Sequence, residues 1–337
     1  MGAVMRLAVL GAGAWGTALA VAMAQRHHVR LWCRDPVQAE LMARERHNHR
    51  YLPDVVLPEA VRVTANFSEA LAGADLALIV TPLAGLGATV AALARERPNL
   101  PFLWACKGID PQRLALPHRI VAESWPASLP PPRAGVLTGP SFALEVARNL
   151  PTAMVLAAAD AHWAKHWVEQ LHQPRLRLYA HDDVVGAEVG GALKNVIAIA
   201  AGVADGLGCG LNARAALITR GLAEITRLAR ALGGRDETLM GLAGMGDLIL
   251  TTTGQLSRNR RVGLMLATGK PLAEILAELG HVAEGVPTTR AAVALAHRHG
   301  IELPIAEAVH RLLFEPEISA EDVLETLLAR DPKFERV

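Results

Sequence analysis

LAVLGAGAWGTALAVAMA, residues 7–24, admits two incompatible readings. It follows Arg6, carries no charge and ends in Ala-Met-Ala, as a signal peptide or a single membrane span would. Gly11, Gly13 and Gly16 argue against that reading. They divide the run into a short strand, a tight turn and a helix, and a second strand-like run, VRLWC at 29–33, follows at once. That order is the opening βαβ unit of a dinucleotide-binding sheet. Gly11 allows the turn, Gly13 lets backbone approach a pyrophosphate, and Gly16 lets the helix pack closely on the strand. The helix N-terminus adds free amides and the positive end of its dipole. No membrane span is expected.

Outward from this unit, β-rich runs at 61–65, 76–81, 102–105 and 135–138 alternate with Ala/Leu-rich helical stretches such as 82–97. Strand–helix alternation predicts a parallel sheet covered on both faces. Runs at 153–157 and 176–179 extend it around a helix at 161–171. Beyond about His181 strand signals nearly vanish. Helical patterns follow at 184–204, 213–232, 258–267, 288–299, 306–313 and 320–328, with Gly-rich breaks between several of them. The expected architecture is a Rossmann-like, doubly wound α/β domain over 1–182 and an all-α C-terminal domain over 183–337.

At 337 residues the chain has room for two domains, and at 51% apolar and 20% charged it is globular. The 34 basic and 33 acidic residues leave a formal charge of +1, so no broad field exists to gather nucleic acid or an anionic membrane. Cys33, Cys106 and Cys209 are far apart and odd in number, which fits a reducing compartment and predicts a cytoplasmic location. Cys33 and Cys106 read as packing residues. His47 and His49 flank Asn48 without a third ligand nearby, so they read as a polar loop, and no metal site is expected.

Cofactor choice falls to the end of the second strand, Cys33-Arg34-Asp35. An acidic residue there holds a ribose 2′-hydroxyl and an arginine accommodates a 2′-phosphate. Arg34 comes first and can also stack on adenine. The reading favours NADPH, with NADH accepted.

Three islands carry unusual polar content. In Cys106-Lys107-Gly108-Ile109-Asp110 a lysine follows a strand at the ligand-binding edge of the sheet. In Gly191-Ala192-Leu193-Lys194-Asn195 a lysine sits in a stretch that reads as a buried helix. Desolvation, or a nearby cation such as Lys107, would lower its pKa towards the range of a proton donor working near neutrality. In Gly244-Met245-Gly246-Asp247, followed by Ser257-Arg258-Asn259-Arg260-Arg261, Asp247 can accept a substrate hydroxyl or orient a lysine. Ser257, Arg258 and Asn259 at a helix start offer a seat for a phosphate monoester, while Arg260 and Arg261 read as a solvated basic face. The residues alone point to hydride transfer to a small phosphorylated carbonyl compound.

GAGAWGTALA (11–20), CKGID (106–110), LTGPSFALEVA (137–147), GALKNVIAIAAGVADGLGCGLNARAALITRGLAEI (191–225), GLAGMGDLILT (241–251) and SRNRRVG (257–263) resemble the soluble bacterial NAD(P)-dependent glycerol-3-phosphate dehydrogenases. The resemblance implies reversible reduction of dihydroxyacetone phosphate to sn-glycerol 3-phosphate, for glycerophospholipid synthesis. It implies proton transfer by Lys194, with Lys107 as a second substrate lysine near the nicotinamide. It carries Gly139, Ser141, Asp247, Ser257, Arg258 and Asn259 as substrate contacts. As cofactor contacts it carries Ala14, Trp15, Arg34, Ala143, Arg258, Val282 and Glu284. Many members have Ser where this chain has Ala14 and Cys106. A homodimer is the expected assembly. The rival readings are a two-domain dehydrogenase of the β-hydroxyacid type and a non-catalytic NADPH-binding redox sensor.

Overall fold

The computed structural model describes residues 3–280 and 283–329, and the chain divides into two compact units. The first comprises the residues up to Cys106 together with Pro117–Val184; the second comprises Lys107–Leu116 and the residues from Val185 onward. Lys107–Leu116 therefore groups with the helical unit although it lies inside the 1–182 span. Its apolar residues explain why: Ile109 and Leu116 are buried in the core of the helical unit.

In the first unit ten strands occur among the described residues. They are β1 (Arg6–Leu10), β2 (His28–Trp32), β3 (His47–Asn48), β4 (Leu52–Val56), β5 (Val61–Thr64), β6 (Leu76–Ile79), β7 (Phe102–Trp104), β8 (Ala134–Thr138), β9 (Thr152–Ala157) and β10 (Leu176–His181). Eight of them form one sheet in the order β10-β9-β8-β7-β6-β1-β2-β5. The chain winds from β1 through β2 to one edge and then resumes at β6 on the other side of β1. The strand order thus reverses beside β1, the place where open α/β sheets take ligands.

The sheet departs from the all-parallel expectation at one seam. β8 and β9 pair antiparallel, Val136 opposite Ala157, whereas β9 and β10 pair parallel. The link 139–151 carries only the short helix Ala143–Ala147, so it returns the chain at the same end of the sheet instead of crossing its face. The segment read as a polar loop around His47 is instead the first strand of the small β3–β4 hairpin.

The 7–24 run is a strand and a ten-residue helix, Ala14–Met23, buried along most of its length. In the second unit the helix Val184–Gly206 is long and apolar enough to span a bilayer, but 89% of its apolar window is buried inside the protein. Its inward residues, among them Val189, Leu193, Val196 and Ile199, form the core with Leu222, Ile225, Val262 and Leu295. Long hydropathy here reports a helix surrounded by other helices. Further helices include Gly210–Ala231, Arg258–Leu266, Gly285–Arg298, Pro304–Phe314 and Ala320–Leu328. Helix Leu272–Leu279 and the segment from Leu242 to Thr253 lie outside the helices expected from apolar periodicity.

Candidate active site

The glycine turn of the first unit has the form that a dinucleotide requires. Gly11 adopts φ +124°, in the region that favours glycine, and a Cβ there would lie 2.9 Å from the backbone of Val80, just after β6. A Cβ on Gly16 would fall 1.8 Å from the carbonyl oxygen of Gly11, so only glycine lets the helix start this close to the strand. At Gly13 nothing stands within 4 Å of the Cβ position. The helix Ala14–Met23 has no side-chain cap and no acidic residue in its first turn, leaving its first amides and its positive dipole end available to an anion. These features fit a pyrophosphate. Ala14 and Trp15 open this helix, and Trp15 is half-buried against the core.

At the end of β2, Arg34 is exposed, while Asp35 caps the next helix, Pro36–Glu45, by accepting from the amides of Val37 (3.0 Å) and Gln38 (3.4 Å). Asp-Pro at a helix start is a legible signal for this role. Beyond β8, Gly139 sits at φ +122° and the Ser141 hydroxyl donates to its carbonyl oxygen at 3.0 Å. Ala143 opens the short helix that follows.

In the second unit Lys107, Lys194 and Asp247 meet in one cluster. Lys107 Nζ donates to Asp247 Oδ2 at 2.6 Å, and Lys194 Nζ donates to Asp247 Oδ1. The carboxylate is fully buried, Lys194 is buried and Lys107 is partly buried. Burial, and secondarily the charge of Lys107, pull the Lys194 ammonium down to about 7, against the attraction of Asp247. Such a shift brings both protonation states of the amine within reach near neutrality.

Local backbone explains how Asp247 reaches that position. Leu242–Gly246 is a π-helical turn that runs into the helix Asp247–Thr253, an insertion common at functional sites. A Cβ on Gly244 would lie 2.1 Å from the carbonyl oxygen of Leu239, so the turn closes only around glycine. The Gly-rich segment that reads as a break is therefore a wound element.

Of the proposed phosphate seat, Arg258 is exposed, whereas Ser257 and Asn259 are buried and internally engaged. Ser257 accepts from the amide of Arg260 at 3.2 Å as the helix cap. Asn259 donates to Asn195 Oδ1 at 2.9 Å and accepts from the Gly285 amide at 3.0 Å, which ties the lysine-bearing helix to the start of Gly285–Arg298. Glu284, just before that start, is half-buried. Burial raises its pKa, while Arg258, Lys107 and Lys194 draw it the other way. Val282 lies outside the described residues. Arg260 is not part of a solvated face: with Arg214 it pairs with Asp205, whose side chain is largely covered, at 2.6 Å and 2.5 Å. Asp205 and the capping role of Asp35 were missed in the sequence, although the acidic residue beside Pro36 pointed to the second.

A glycine turn at the strand-order reversal and a lysine–carboxylate–lysine cluster define a nicotinamide-dependent oxidoreductase. Comparison with known proteins gives the family. The profile for the N-terminal part of NAD-dependent glycerol-3-phosphate dehydrogenase matches residues 6–164, and that for its C-terminal part matches residues 183–325. The glycerol-3-phosphate dehydrogenase (NAD(P)+) of Aromatoleum aromaticum is 63% identical over 331 residues, covering 98% of this chain and 100% of its own. That of Thiobacillus denitrificans is 56% identical with the same coverage. The crystal structure of glycerol-3-phosphate dehydrogenase from Coxiella burnetii superposes with a TM-score of 0.90 at 40% identity, covering 97% of this chain and 99% of that one. The chain belongs to the NAD(P)-dependent glycerol-3-phosphate dehydrogenase family.

Proposed function

We propose that the protein catalyses the reversible reduction of dihydroxyacetone phosphate to sn-glycerol 3-phosphate, with NADPH as preferred reductant and NADH accepted. The observation that carries this reading is the pair of lysines held on one buried carboxylate in a chain of this family. When bound, the dinucleotide supplies the hydride. Lys194 holds the proton that the substrate oxygen takes up as its charge develops, and recovers it in the reverse direction. Its depressed pKa makes both protonation states accessible near neutrality. Lys107 adds positive charge beside the same oxygen, which counts most in a water-poor site. Asp247 holds both ammonium groups in place and keeps Lys194 from losing its proton altogether.

Arg258 offers its exposed guanidinium to the substrate phosphate. Ser257 and Asn259 act through the helix start they hold, with Gly139 and Ser141 as further substrate contacts. Gly11, Gly13, Ala14, Trp15, Gly16, Arg34, Lys107, Ala143, Arg258 and Glu284, together with Val282, contact the cofactor. The preference for NADPH rests on Arg34: Asp35, the residue that would hold a ribose 2′-hydroxyl, already caps a helix.

The division of the chain at about residue 182, into a cofactor-binding domain and a domain that carries the catalytic lysine, is part of the same reading. So are a homodimer, supported by exposed apolar residues such as Leu211 and Met240, and a cytoplasmic location, supported by three free cysteines.

The test is oxidation of NADPH and NADH by the purified protein with dihydroxyacetone phosphate, dihydroxyacetone or a β-ketoacid. Turnover with the phosphorylated ketone and little without its phosphate is expected, because binding energy from the phosphate orients the carbonyl. Turnover with the β-ketoacid instead would favour the hydroxyacid reading. NADPH binding without any turnover would favour a redox sensor.

A further inference from the structure

Asn48, the middle residue of the His47-Asn48-His49 stretch, is fully buried in the first unit while its two neighbours are not. Alternation along β3 turns its side chain inward, and the hairpin aims it at the glycine turn. Its Nδ2 donates to the carbonyl oxygen of Ala12 at 2.9 Å and to Thr17 Oγ1 at 2.8 Å. Its Oδ1 accepts from Gln38 Nε2 and from the Tyr51 amide, each at 3.3 Å. All four hydrogen-bonding positions of the amide are thereby used, which fixes both the position and the flip of the side chain.

Ala12 stands between Gly11 and Gly13, in the middle of the turn. Because a trans peptide is planar with its C=O and N–H pointing opposite ways, holding the Ala12 carbonyl also sets the direction of the Gly13 amide, away from Asn48. The Gly11-Ala12-Gly13 backbone is otherwise the most permissive segment of the turn, since glycine loses more conformational freedom on ordering than any other residue. Thr17, the second partner, lies in the first turn of the helix, and its own amide donates to the Gly13 carbonyl at 2.9 Å. One buried amide thus fastens the turn on one side and the helix start on the other.

We propose that Asn48 is a positioning residue for dinucleotide binding, orienting the Ala12–Gly13 peptide so that the Gly13 amide and the first helical amides converge on the pyrophosphate. The proposal rests on the reading of the glycine turn as the cofactor site. Asn48 touches no reacting atom and acts through the backbone it holds. Pre-ordering of that backbone lowers the ordering cost that binding would otherwise carry.

The experiment compares wild type with Asn48→Asp, which keeps the shape but sets a carboxylate against the Ala12 carbonyl. NADPH binding is measured by titration, with KM for each substrate, kcat and the unfolding midpoint. The expected result is an NADPH Kd raised about tenfold or more, with KM for NADPH rising in parallel and KM for dihydroxyacetone phosphate changed less than threefold. A lowered unfolding midpoint with unchanged NADPH Kd would overturn the proposal, because a structural role alone predicts that pattern. If Asn48→Asp fails to fold, Gln38→Met decides the matter: loss of the Gln38 donor loosens Asn48 and should raise the Kd about twofold to threefold, and no change would overturn it. Absence of NADPH binding to the wild type would instead remove the cofactor reading itself, so the two failures are distinguishable.

Discussion

The glycine turn of the first unit and the lysine–carboxylate–lysine cluster of the second bind charge in opposite ways. In the turn the groups on offer to an anion are backbone amides and a helix dipole, and the side chains matter chiefly by being absent. In the cluster the work falls to three side chains, two ammonium groups on one buried carboxylate, drawn from positions 140 and 53 residues apart. Backbone geometry is set by neighbours in sequence. A charge cluster exists only once distant elements have packed, and it is tuned by burial that no local pattern records.

The contrast predicts different failures. Asp247→Asn should give the largest effect, because it leaves two ammonium groups without their counter-charge in a buried site. Stability should fall by about 3 kcal/mol and turnover by about a thousandfold. The descending limb of the reduction rate against pH should move to lower pH, since Asp247 raises the Lys194 pKa and its loss lowers it further. Denaturant titration and pH–rate profiles check both effects, and an unmoved limb would separate Asp247 from the proton transfer.

A second buried carboxylate sharpens the comparison. Glu224 accepts from the amides of Ile305 (2.7 Å) and Ala306 (3.2 Å) at the start of the helix Pro304–Phe314, and no sequence signal marked it. Burial raises its pKa to about 7, opposed by those two amides and by Arg227, and aided by Glu307. A carboxyl with a raised folded pKa binds more protons folded than unfolded. Its stabilising contribution is therefore complete below about 4.5 and lost as pH rises through about 7. Across that window wild type should lose up to about 3 kcal/mol relative to Glu224→Gln, read from paired unfolding curves. Parallel curves for the two proteins would show that Glu224 does not titrate there.

The smallest effect belongs to the exposed edge of the cofactor turn. Arg34→Ala should raise the NADPH Kd about tenfold and leave that for NADH within about twofold. Equal losses for both cofactors would mean that Arg34 stacks on adenine rather than pairing with the 2′-phosphate.

What the sequence disclosed follows the same division. β1 and the helices Ala161–Leu171 and Ala320–Leu328 coincide with their patterns, because apolar periodicity and glycine punctuation act locally. The antiparallel seam between β8 and β9 was hidden because pairing direction depends on the path of the link, not on the strand residues. Leu242–Gly246 looked like a break because glycine usually interrupts helices, yet here glycine is what lets a π turn close against Leu239. The candidate site was legible as residue types: Lys107, Lys194 and Asp247 stood out by their polarity in apolar surroundings. Their junction on one carboxylate was not, nor was the inward turn of Asn48 between two outward histidines.

Lys194 is proposed as the proton donor and the glycine turn as the seat of the pyrophosphate. The most direct test is Lys194→Ala, measured for NADPH affinity and for turnover with dihydroxyacetone phosphate on the same preparation. Turnover should fall by about a thousandfold or more, with an NADPH Kd within threefold of wild type. Turnover at the wild-type rate would contradict the proton-donor role of Lys194.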